Sequence, residues 1–120
     1  MIKFDFAGTQ YRIIDNKLIN DRDEVAVVYA PGFGAGWSTW ESISPTDANV
    51  AKRVLLGERT MITKAWLKEV GALEDVEGFY AGAVEDLTIQ WIPKGTKFRV
   101  HEYDGSESIE TIEGTAWTEA

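Results

Sequence analysis

The stretch with the most chemistry in this chain is Gly32-Phe33-Gly34-Ala35-Gly36-Trp37-Ser38-Thr39-Trp40, alternate glycines running straight into two tryptophans. Glycine admits positive φ and close approach of the backbone to another group. Successive N–H groups in a Gly-Ala-Gly turn form a nest for an anion, and Ser38 and Thr39 add hydroxyl donors beside it. Trp37 and Trp40 supply flat apolar surfaces for stacking or for burial. Phe33, Gly34, Gly36, Trp37, Ser38, Thr39 and Trp40 are therefore candidate ligand- or partner-binding residues. A second reading stays open beside it, a tight connection whose tryptophans plug the core. The i, i+3 placement of Trp37 and Trp40 predicts that one packs on the sheet while the other is exposed. Two nucleotide motifs are excluded. The third glycine of a dinucleotide fingerprint would fall at Trp37, and no Gly-Lys-Ser/Thr follows for a P-loop.

The titratable residues offer little to catalysis. His101 is the single histidine, so one chain cannot build a multi-histidine metal site or a Ser-His-Asp site with histidine to spare, and its place in an alternating strand reads as a solvated face with Arg99 and Tyr103. Cysteine is absent, which removes thiolate nucleophiles, disulfides and thiolate metal sites. Glu102, Asp104 and Glu107 cluster near a hairpin, but their spacing matches no calcium loop, and Asp104 before Gly105 suits a turn. Nothing in the sequence sets up an acid–base pair, so the expectation is a protein that is not an enzyme, with no metal and no cofactor.

Charge narrows the partners. The formal net charge is −8, yet residues 48–68 carry five basic side chains against Glu58 alone, a net of +4, while residues 69–120 carry three basic against twelve acidic. An acidic body thus bears one basic helical segment, with Arg53 and Arg59 as candidate anion contacts and Arg99 and Tyr103 as candidates on the strand side. The acidic bulk argues against direct nucleic-acid binding, which depends on phosphate neutralisation. Glu74, Asp75 and Glu77 read as an exposed acidic rim, or alternatively as a mimic of nucleic-acid phosphates.

The elements that must position these residues are legible from periodicity. Ile2, Phe4 and Phe6 alternate with Lys3 and Asp5; Gln10 to Ile14 forms a second strand before a turn at Asp15-Asn16. Glu24 to Ala30 is apolar on both faces and belongs in a sheet interior. Thr46 or Asp47 caps a helix carrying Val50, Ala51, Val54 and Leu55 and stopped by Gly57; a second helix from about Thr60 shows Ile62, Ala65, Trp66 and Val70 as its apolar stripe and ends at Gly71. Leu87, Ile89 and Trp91 alternate, Pro93-Lys94-Gly95 turns the chain, Phe98 and Val100 alternate, and Asp104-Gly105 marks a hairpin into Ser108 to Ile112, which together read as a closing β-meander. The expected fold is α+β in a single domain over residues 1–120, a mainly antiparallel sheet of about five to six strands with two central helices packed on one face, in the order βββ-αα-βββ.

Three segments carry a resemblance. The loop Gly32–Trp40, the turn Trp91–Val100 and the hairpin Glu102-Tyr103-Asp104-Gly105-Ser106-Glu107-Ser108-Ile109 resemble a family of small phage and prophage accessory proteins of unassigned function. The resemblance implies an accessory role in a bacterial cytoplasm, where counter-defence is frequent for proteins of this size; it transfers no catalytic residue. The lack of a signal-peptide pattern or of a long apolar run agrees with the cytoplasm and with no membrane partner. The expected function is therefore a non-enzymatic counter-defence binding protein acting on a host defence protein or on an anionic, nucleotide-like ligand, with a homo-oligomer as a further possibility. The alternatives are an acidic nucleic-acid mimic that inhibits a host complex, and a purely structural phage protein.

Overall fold

Val25, Ala26, Val27 and Val28 are all buried, and their alternation sends them into two different cores. Ala26 and Val28 pack with Leu18, Val50, Ala51, Val54 and Leu67 on one side. Val25 and Val27 pack with Ile19, Ile92 and Phe98 on the other. A strand with side chains in both cores must lie between two layers, as its sequence predicts. The computed structural model of the chain describes residues 1–32, 36–39, 43–73, 81–111 and 118–119.

The strands are β1 (Ile2–Phe6), β2 (Thr9–Ile14), β3 (Lys17–Ile19), β4 (Glu24–Tyr29), β5 (Thr88–Pro93), β6 (Lys97–Tyr103), β7 (Ser106–Thr111) and β8 (Thr118–Glu119), and the helices are α1 (Ala48–Leu55) and α2 (Lys64–Glu69). An antiparallel sheet in the order β1-β2-β3-β4-β5 carries the helices on one face, and a smaller sheet in the order β7-β6-β8 covers the other. The α+β class, the antiparallel sheet and the helices on one face are as expected.

The closing meander is corrected. β5 pairs with β4, and the turn closed by Thr96 N–H to Pro93 O (3.0 Å), with Gly95 at φ 88°, delivers β6 into the second sheet. The cause is visible in β5 itself: Ile92 is buried between the two sheets, on the face opposite Ile89 and Trp91, so both of its faces need cover. The three-residue β3 was not expected either. Where it stops, Pro45 O takes the hydrogen bond from Val28 N–H (2.8 Å).

Tight hairpins set the register. Ala7-Gly8, Asp15-Asn16 and Asp104-Gly105 all have positive φ at both positions, the type I′ geometry that matches strand twist. Asn16 also starts α1, because its backbone and side-chain oxygens both accept from Ala48 N–H (3.1 and 3.3 Å). Asp47 is the N-cap, accepting from Asn49 and Val50 N–H at 3.0 and 3.1 Å. The second helix departs from its expected span. A 3-10 turn at Arg59–Met61 precedes it, Thr63 caps it, and the phase moves, so Leu67 is buried and Ala65 is exposed. Gly105, at φ 85°, tests the hairpin assignment: Gly105→Val is expected to cost at least ~1 kcal/mol in thermal or urea unfolding, since a β-branched residue resists that conformation.

Candidate functional site

The glycine loop does cradle an anion, and the anion is the protein's own. Glu107, only 2% exposed, sits on β7 with one carboxylate oxygen accepting from Ala30 N–H (2.9 Å). The other accepts from Trp37 N–H (2.9 Å), Thr39 N–H (3.0 Å) and the Thr39 hydroxyl (2.5 Å). Its backbone N–H in turn donates to Ala30 O (2.7 Å), and the Ser106 hydroxyl donates to Pro31 O (2.7 Å). Of the donors expected to hold a ligand, the Thr39 hydroxyl is thus taken by a buried carboxylate, which fixes residues 37–39 against the start of β7, while Gly34 and Ala35 lie outside the described residues.

Trp37 is fully buried in the helix-side core, together with Ile43, Leu67 and Leu87. Gly36 is buried beside it, Ser38 is half-buried and Thr39 is exposed. Of the tryptophan pair, Trp37 is the packed one; Trp40, Phe33 and Gly34 lie outside the described residues, as do Glu74, Asp75 and Glu77. A Cβ at Gly32 would stand 2.5 Å from Asp86 Oδ2 and 2.9 Å from its Cγ, so a larger residue there requires the exposed Asp86 side chain to turn away.

A second feature lies on the outer side of the helices. Asn49, Lys52, Arg53 and Leu56 recur at i, i+3, i+4 and i+7 along α1 and beyond its end, facing Trp66 of α2 and Val70 just past its end. With Glu58 they line a groove of 340 Å³. The Arg53 guanidinium lies 5.3 Å from the centre of the Trp66 ring and donates to Glu58 (2.8 Å), and Lys52 Nζ stands 4.6 Å over the Phe4 ring. The groove therefore offers the Arg53 guanidinium, shared with Glu58, the Asn49 amide, the side of Lys52, whose ammonium lies over Phe4, and an apolar floor of Leu56, Trp66 and Val70. None of its lining residues comes from the described part of the glycine loop, so the two sets of candidate residues are not brought together in this groove.

The remaining candidates are dispersed. Arg59 donates through Nε and Nη2 to Leu87 O (2.9 and 2.7 Å) and so fastens the 3-10 turn to the entry of β5. Arg99 reaches Glu110 across the hairpin (3.3 Å), and His101 Nδ1 stands 4.0 Å from the same carboxylate. Both are exposed, as expected, and Tyr103 is 75% exposed. Glu102 accepts from Gly105 N–H (3.2 Å) within the turn. Among the described residues no three His, Cys, Asp or Glu side chains converge on a metal position, and no helix is long and apolar enough to cross a membrane.

Sequence reasoning placed Glu107 in a hairpin acidic cluster and missed its role. The one signal that bears on it is register: opposite Glu102 in the β6–β7 ladder, it shares the face of Phe98, Val100 and Ile109, which points inward. Comparison of the chain with protein-family models, with curated proteins and with solved structures finds no match.

Proposed function

We propose that this protein is a non-enzymatic binding protein of the phage accessory, counter-defence kind, working in a bacterial cytoplasm, and that it takes up a small nucleotide-like anion in the groove between α1 and α2. The observation that carries the reading is the meeting of Arg53 and Asn49 with an apolar floor containing Trp66 in a volume of 340 Å³. That volume lies at the small end of ligand pockets, which run from about 300 to 1,000 Å³. The guanidinium lies against the Trp66 ring and is held there through Nη1 by Glu58 and the Met61 sulfur, so its remaining N–H groups are the ones left for a phosphate. The floor of Leu56, Trp66 and Val70 suits a flat apolar base. The buried Glu107 is consistent with the assignment, because the Trp37 and Thr39 N–H groups and the Thr39 hydroxyl are already taken by a carboxylate from within the protein.

Calorimetry against a panel of purine and pyrimidine mononucleotides, linear and cyclic, tests it. Arg53→Glu is expected to abolish the binding heat, and Trp66→Ala to weaken binding by about tenfold. Arg59→Glu is expected to act through stability instead, since Arg59 holds Leu87 O. Wild type that takes up no member of the panel, or an Arg53→Glu variant that binds unchanged, would sink the proposal. Capture from bacterial lysate, with identification of the small molecules retained, then names the ligand.

A further inference from the structure

Strand β1 ends the five-stranded sheet, and its outer edge carries a charge pattern that only one kind of strand fits. The two-residue turn Ala7-Gly8 makes Phe6 and Thr9 a hydrogen-bonded pair. By alternation Phe4 and Ile2 also turn their backbone groups toward β2, so Lys3 and Asp5 direct theirs to the open edge. Among the described residues no strand pairs with β1 on that side. Ile2 is 59% exposed and Phe6 37% exposed on the face they share with Phe4.

We infer that β1 is a self-complementary docking edge, and that its partner is a second copy of this chain, paired antiparallel about a two-fold axis through Phe4. The registers that align outward backbone groups with outward backbone groups are centred on Lys3, Phe4 or Asp5. A centre at Lys3 sets lysine against lysine, and a centre at Asp5 sets aspartate against aspartate, both unfavourable. The centre at Phe4 sets each Lys3 opposite the partner's Asp5, and each such pair exchanges both of its main-chain hydrogen bonds.

Three further features agree with that register. Ile2 falls opposite the partner's Phe6, which covers the two exposed apolar side chains of the strand. Phe4 stacks on Tyr11 (5.4 Å) and Tyr11 on Trp91 (5.9 Å), an aromatic row across the sheet that would continue into the partner's Phe4. Lys3 stands opposite Arg12 on β2, a like charge already paired with Asp23, and the partner's Asp5 supplies the counter-charge on its other side. A lysine in mid-edge ordinarily blunts sheet extension. Here it selects for a strand that presents an acid two residues further on, which this chain does.

Sedimentation equilibrium of the full chain over a range of concentrations, with circular dichroism to check the fold, tests the inference. Wild type is expected to show a monomer–dimer equilibrium. Lys3→Asp and Asp5→Lys, each placing like charges opposite one another, are expected to weaken it at least about tenfold. The double reversal, Lys3→Asp with Asp5→Lys, keeps unlike charges opposite and is expected to restore the wild-type constant to within about threefold. A wild type still monomeric at about 0.5 mM overturns the proposal. So does a dimer indifferent to the single reversals, or a double reversal that fails to recover. Arg53→Glu, which removes the groove contact of the proposed function, is expected to leave the dimer unchanged, so the two proposals fail separately.

Discussion

Glu107→Ala is expected to lower the stability of this protein by about 3–5 kcal/mol, measured by urea unfolding, a loss out of proportion to the few atoms removed. The carboxylate is the shared acceptor of the Ala30, Trp37 and Thr39 N–H groups and of the Thr39 hydroxyl. Deleting it removes the carboxylate from all of these donors at once, and a buried donor that loses its acceptor costs about 1–3 kcal/mol. Thr39 is exposed and regains water, which keeps the total below the sum of the parts. Glu107→Gln separates shape from charge. It keeps one acceptor oxygen, but its amide nitrogen must face N–H donors, so about 2–3 kcal/mol is expected. A glutamine variant as stable as wild type would show that the loop is held by packing and not by the carboxylate.

The parts of this structure that could be read from the chain are those fixed by local alternation. Val25 to Val28 announced a strand buried on both faces, and Asp104-Gly105 announced its turn, because each signal lies within a few adjacent residues. The parts that could not be read depend on contacts between distant segments. Glu107 meets Ala30, Trp37 and Thr39 some seventy residues away; the hairpin register puts it on the inward face with Ile109, but the donors that satisfy it there are not encoded near it. That N–H groups of this loop need an acceptor was legible; that the Trp37 and Thr39 N–H groups find it in Glu107 was not. Residues 59–61 illustrate the same limit at shorter range. A 3-10 turn there shifted the helical phase enough to exchange Ala65 for Leu67 as the buried residue, and helical spacing cannot register an offset that arises before the helix starts. Arg53 and Trp66 were visible as a charge and an apolar position, but the groove they line exists only because the fold brings residues of α1 and α2 to one place.

Trp37→Ala is expected to cost about 3–5 kcal/mol, because the indole is fully buried among Val28, Ile43, Leu67 and Leu87 and no neighbouring element can collapse into its volume without moving the sheet or a helix. The informative measurement is its combination with Glu107→Ala. Trp37 enters the core through its side chain while its backbone N–H is bound by Glu107, so the loop is fastened at one residue by two unrelated forces. When the indole is removed, the segment from Gly36 to Thr39 loses its apolar anchor, and its N–H groups can turn to water. The carboxylate then has less to hold, and its removal costs less than it does in the intact protein. A double-mutant cycle is therefore expected to show the two losses falling short of additivity by about 1–2 kcal/mol. Strict additivity would mean that the loop stays docked on Glu107 without its tryptophan, and that the buried carboxylate alone determines the path of the chain between β4 and the segment leading to α1.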